Sequence, residues 1–61
     1  MIEINDLIVV IELDYRVPEI LNQSGIVLGT AGQQVKVLIN GYYYWIDREK
    51  VIKKEDKKWK K

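Results

Sequence analysis

Gln34-Val35-Lys36-Val37-Leu38-Ile39-Asn40-Gly41-Tyr42-Tyr43-Tyr44-Trp45-Ile46-Asp47 reads as a β-hairpin that reverses at Asn40-Gly41. A two-residue type I′ turn needs positive φ at both central positions, and Asn-Gly meets that need. Such a turn fixes the register. Ile39 then pairs with Tyr42, Leu38 with Tyr43, Val37 with Tyr44, Lys36 with Trp45 and Val35 with Ile46. Paired residues share a face. Val35, Val37, Ile39, Tyr42, Tyr44 and Ile46 therefore lie on one face, and Lys36, Leu38, Tyr43 and Trp45 on the other. The first set is the more uniformly apolar and is predicted to face inward. The second is left as an exposed strip of two aromatics, one aliphatic and one cation. A one-residue bulge at Gly41 would invert this assignment, because side chains alternate with period two.

The rest of the chain is punctuated in the same style. Asn5-Asp6 is a turn signal ahead of Leu7-Ile8-Val9-Val10-Ile11. That run is continuously apolar, which predicts a strand covered on both faces or one that bends so that each half buries a different face. Glu12 to Ser24 lacks a period of two and reads as a long first loop. Within it, Val17 to Asn22 suits a short helical turn, with Pro18 at its first position and Gly25 able to end it in a left-handed conformation. Ile20 and Leu21 are expected to cover one end of the core. Residues 25–30 form the second strand, Ala31-Gly32-Gln33 a turn, and Arg48-Glu49-Lys50 a tight polar turn of 3₁₀ type. Val51-Ile52-Lys53 is a short fifth strand, and residues 54–61 a charged tail. Five short strands with a helical turn before the last predict one all-β domain over residues 1–53, a small closed or partly closed barrel.

This order of elements resembles SH3-like barrels of the KOW type and the small extrinsic E subunit of photosystem I. In those families a Gly-Asp pair opens strand one, where this chain has Asn5-Asp6. A Gly-x-Val element opens strand two after a long loop; here it is Gly25-Ile26-Val27. A Val-x-Val strand precedes a tight turn, here Val35-Lys36-Val37 before Asn40-Gly41. A short turn leads to the final strand, here Asp47 to Lys50 before Val51. The likeness spans roughly residues 5–53 and implies a five-stranded SH3-like barrel. KOW domains often bind RNA or ribosomal and transcription proteins, and the photosystem subunit docks without catalysis. No residue here matches a base-reading or catalytic position of theirs, so the resemblance implies a fold and transfers no site. The Asp47-Arg48-Glu49 turn and the overall pattern are also similar to short proteins encoded by tailed bacteriophages. That likeness implies an accessory or regulatory factor acting in the host cytoplasm.

Composition narrows the chemistry. The 61 residues include no histidine and no cysteine, which removes the commonest general base, the commonest metal ligand and any disulfide. A chain this short buries only about 60% of its unfolded surface, so packing must be efficient or a partner must help. Isoleucine and valine fill sixteen positions, and Cβ branching suits a pleated surface. No apolar run approaches the roughly 18 residues of a membrane span. Met1 leads directly into strand-like sequence, which gives the expectation of no signal peptide and a cytoplasmic protein. Residues 1–52 carry four basic and seven acidic side chains, whereas 53–61 carry six lysines and two acids. The body is thus mildly acidic and the tail basic, which disfavours a broad nucleic-acid surface on the barrel itself.

Three functional readings follow. The leading one is a non-enzymatic module that docks on another protein through Lys36, Leu38, Tyr43 and Trp45, with Tyr15 and Arg16 at the edge. Tyr and Trp offer large rigid contact area at low entropic cost. The competing reading packs Tyr43 and Trp45 beneath the first loop or the tail. The second function is RNA or DNA binding, with Lys57, Lys58, Trp59, Lys60 and Lys61 as the affinity arm and exposed aromatics as stacking platforms. The third is a homo-oligomer formed through an exposed strand edge or the aromatic strip. Arg16 and Tyr15 either contact a partner or stack on one another at the rim, the second being favoured. Neither Glu12 with Asp14 nor Asp47 with Glu49 has a ligand-rich loop around it. No catalytic residue, cofactor or metal is therefore expected. Asp47 is expected to cap the 48–50 turn or to pair with Arg48 or Lys50.

Overall fold

The computed structural model describes residues 2–55. Five strands occur in chain order: β1 (Leu7–Val10), β2 (Ser24–Ala31), β3 (Gln34–Ile39), β4 (Tyr42–Asp47) and β5 (Val51–Lys53). Two single 3₁₀ turns interrupt them, Pro18–Ile20 in the first loop and Arg48–Lys50 before β5. All neighbouring strands are antiparallel, in the order β4-β3-β2-β1-β5. The fold is all-β, and its sheet curls round a single aliphatic core.

The hairpin forms in the expected register, with Ile39 opposite Tyr42 and Val35 opposite Ile46. Asn40 and Gly41 both have positive φ, 52° and 88°, as a type I′ turn requires. Val35, Val37, Ile39 and Ile46 are buried, and Tyr44 is packed against the core they form. Tyr42 departs from expectation: it lies on the inward-facing side but is 68% exposed. It follows the turn immediately, where the sheet ends and no element lies over it. The 31–33 turn is tighter than expected, because Ala31 continues β2 and Gly32 alone takes positive φ.

β2 is the longest strand and is shared by both ends of the sheet. Its first residues pair with β1, Leu7 with Ile26 and Ile8 with Gly25, and its later ones with β3. The register to β3 shifts between Val27 and Gly29, so Leu28 is the extra residue of a bulge. A bulge bends and twists its strand, which lets one strand serve two directions of the curled sheet. Ile8 and Val10 enter the core, and β1 pairs with β5 through Val10 and Val51. Val9 points to the opposite side and is buried as well, 2% exposed, while Leu7 is exposed. The apolar run is therefore covered on both faces over its later part.

Two features of the first loop differ from expectation. Gly25 does not end the helical turn in a left-handed conformation; it is part of β2, and Asn22 takes the positive φ, 68°. Asparagine tolerates that region through its short polar side chain. Of the two residues expected to cover the core, Ile20 is fully buried and Leu21 partly so. At the other end, the Asn5-Asp6 turn anchors the entry to β1. The Asn5 N–H donates to the Val27 carbonyl at 2.8 Å and the Val27 N–H to the Asp6 carbonyl at 2.9 Å.

Candidate functional site

The hairpin presents its second face to solvent. Tyr43 is 65% and Trp45 45% exposed, whereas Lys36 and Leu38 are half-buried. Leu38 faces Tyr43 and Lys36 faces Trp45 across the β3–β4 ladder. The Lys36 ammonium lies 5.0 Å from the centre of the Tyr43 ring, within cation–π range. That contact ties the one cation of the strip to its most exposed ring. The four residues therefore form one patch, and Tyr44 sits on the core side as the register requires.

The patch extends further than the hairpin alone. Leu38 also pairs with Ile26 of β2, and Ile26 with Leu7 of β1. Leu7, Ile26, Leu38 and Tyr43 thus form a row running across four strands on the outer face. Leu7 at the end of the row is exposed, and Leu28 at the bulge is partly so. Sequence reading missed Leu7, Ile26 and Leu28. Both faces of β1 and of residues 26–28 are apolar, so alternation there carries no signal of which residue faces water.

Tyr15 and Arg16 are not part of this patch. Tyr15 is 86% exposed in the first loop. Arg16 does not stack on it. Its guanidinium grips Asp14 instead, Nε to Oδ1 at 3.0 Å and Nη2 to Oδ2 at 2.8 Å, and its backbone N–H also donates to Asp14 Oδ1 at 3.0 Å. Asp14 is the one buried polar or charged residue among the described residues. Hydrogen bonds from the Arg16 side chain, then from its backbone N–H, hold the carboxyl well below the usual carboxylate range. Lys50 Nζ adds charge at 3.8 Å from Asp14 and reaches Asp47 at 4.0 Å.

This cluster is a fastener between loop and barrel. The Ile11 and Glu12 N–H groups donate to the Lys50 carbonyl at 2.8 and 3.4 Å, reinforcing the Asp14–Lys50 contact. Asp47 pairs with Lys50 as one of the two expectations had it, but it makes no side-chain cap on the 48–50 turn. Its Oδ1 accepts from Gln34 Nε2 at 3.2 Å. Arg48 works on the opposite side, donating through Nε to the Gly32 carbonyl at 2.8 Å and through Nη1 to the Ile2 carbonyl at 3.3 Å.

Among the described residues no three acidic side chains converge as metal ligands, and no helix is long and apolar enough to cross a membrane. Every buried side-chain nitrogen and oxygen described has a hydrogen-bond partner. The tail residues Lys57, Lys58, Trp59, Lys60 and Lys61 lie outside the described residues. Searches of protein-family models, of curated proteins and of solved structures find no match to this chain.

Proposed function

We propose that this chain is a non-catalytic docking module of SH3-like architecture whose outer sheet face receives another protein. Two features of the fold support that architecture. The strand order β4-β3-β2-β1-β5 with a bulged, shared β2 is compatible with a small SH3-like barrel, and so is the single 3₁₀ turn before the last strand. The observation that carries the function is the cross-strand apolar row Leu7–Ile26–Leu38–Tyr43, flanked by Lys36 and Trp45. Singly exposed apolar side chains are ordinary, but a contiguous row joined to two aromatic anchors is the pattern of an interaction surface. A host-cytoplasm regulatory factor of a phage, docking on a host protein, is the setting this module fits. The fastening of Arg16 to Asp14 assigns that arginine a structural role, and leaves Tyr15 as the loop's exposed contact residue.

The test is capture from a cytoplasmic lysate with tagged wild-type protein and a Trp45→Ala variant, each run with and without nuclease. Trp45 is nearly half exposed, so its truncation is expected to abolish capture, a loss of roughly 2 kcal/mol or more for an anchor residue, while the thermal midpoint moves by a few degrees at most. If Trp45→Ala instead unfolds the domain, Trp45 is a core residue and the docking face is wrongly drawn. Capture that disappears with nuclease would transfer the function to nucleic acid.

A further inference from the structure

The two outer strands of the sheet are defended unequally. β5 is three residues long and ends in Lys53, followed by Lys54. Short length and lysine are the usual protections against pairing with another chain. β4 is six residues long, Tyr42–Asp47, with no proline and no charge before its last residue. Among the described residues β4 pairs only with β3, and apart from the 3₁₀ turn that follows Asp47 no loop bonds to its backbone. An aromatic, uncharged edge of this length is the kind natural sheets normally cover or blunt.

The register says which backbone groups are open. In a two-residue hairpin the residues flanking the turn form a hydrogen-bonded pair, and such pairs alternate along the ladder. Ile39–Tyr42, Val37–Tyr44 and Val35–Ile46 are then the bonded pairs. Tyr42, Tyr44 and Ile46 turn their N–H and C=O groups toward β3. Tyr43 and Trp45 turn theirs to the open side, while the Asp47 carbonyl opens the 3₁₀ turn at 48–50.

From this edge we infer that β4 is a self-recognition element, pairing antiparallel with β4 of a second copy about a two-fold axis through Tyr44. That register sets Tyr43 and Trp45 of each copy opposite Trp45 and Tyr43 of the other, as two bonded pairs made by the open N–H and C=O groups. The same residues match aromatic with aromatic on the outer face, a favourable cross-strand combination. On the inner side Tyr42 lies opposite Ile46 of the copy, which its own core already covers. The charges fall outside the seam: Asp47 lies opposite Gly41 and Arg48 opposite Asn40. Centring on Trp45 instead would set Asp47 against Tyr43 and leave one aromatic pair, Trp45 with its copy, in place of two. Two-fold symmetry needs only that one patch complement itself, and β4 does so in backbone and side chain. The product is a continuous ten-stranded sheet. This inference uses the strand edge, whereas the docking proposal uses the sheet face.

A single six-residue edge is at the low end of interface sizes, so the equilibrium belongs in the micromolar range or weaker. The experiment is sedimentation equilibrium on the full chain from about 10 μM to about 1 mM, with amide exchange followed by NMR at both ends of that range. The mass is expected to rise from 7.2 kDa toward twice that value. The Tyr43 and Trp45 amides should exchange at least about tenfold more slowly at high concentration, while Tyr42, Tyr44 and Ile46 stay protected throughout. Synthetic protein carrying an N-methyl group on Trp45 keeps every side chain but loses one open donor, and should remain a monomer. Tyr43→Lys, at an exposed position, should do likewise. A monomer across the whole range overturns the inference. So does a dimer unaffected by N-methylation, since its seam then lies elsewhere.

Discussion

Gly25 shows how much one residue without a side chain can decide. It sits on the core side of β2, opposite Ile8. A Cβ there would lie 2.5 Å from Ile39 Cγ1 and 2.5 Å from the Leu38 carbonyl oxygen. A side chain can swing away from such a contact, but a ladder carbonyl cannot. Gly25→Ala is therefore expected to destabilise by about 2–3 kcal/mol, as overpacking of a tight core does. The measurement is the urea midpoint, which should fall with an unchanged slope. A midpoint equal to wild type would mean that β2 and β3 are not so close. The need for this glycine is not legible in the sequence, because a glycine kept for space looks the same as one kept for positive φ. That is why Asn22, with the commoner signal for neither, was missed as the residue that turns left-handed. Tyr42 illustrates the same limit: period two gives the face a side chain points to, but not whether anything covers that face.

At the scale of elements, the register and faces of the hairpin were legible and the first loop was not. Asn40-Gly41 determines register through local backbone preferences, and register determines faces, so Tyr44 inward and Trp45 outward follow without knowledge of any other strand. The first loop is held by contacts far apart in sequence, above all the Ile11 N–H on the Lys50 carbonyl and the Asn22 N–H on the Val10 carbonyl, both at 2.8 Å, which no local pattern reveals. Asp14 makes this loop sensitive to acid. Its carboxyl, held by Arg16 and by the nearby Lys50, has a folded pKa below the ordinary value of about 3.9. A group depressed on folding contributes stability that is fully present above its unfolded pKa and is lost as pH falls through the folded value. Wild type should thus lose stability progressively below about pH 4, whereas Asp14→Asn should start lower at neutral pH and decline less steeply. Urea midpoints at several pH values between neutral and strongly acidic would show it. Parallel curves for the two proteins would mean that the Asp14–Arg16 pair does not fasten the loop. The outer-face row was legible only where it crosses the hairpin. Leu7 and Ile26 lie in runs that are apolar on both sides, and only their pairing partners place them beside Leu38.

For the whole molecule, the all-β architecture was legible because five β-branched segments alternate with turn signals. The sheet's neighbours along β4-β3-β2 are also neighbours in sequence, whereas β1 and β5 meet from opposite ends, Ile8 with Lys53 and Val10 with Val51. That one seam spans some forty residues of chain, and its closure entropy must be met before it gives anything back. The locally connected three-stranded meander can assemble first and the β1–β5 seam last. Val37→Ala should then slow folding, while Val51→Ala, at a comparably buried position, should mainly speed unfolding, as the two arms of a chevron plot would separate. Equal effects on both arms would place the seam in the nucleus. If the seam is last to close it is also first to open, and the residues it parts, Val10 and Val51, are those next to the Lys50 fastener of the first loop. A brief excursion at that zipper would loosen the loop carrying Tyr15 while leaving the aromatic strip on its own scaffold intact, so loop and strip live on different clocks.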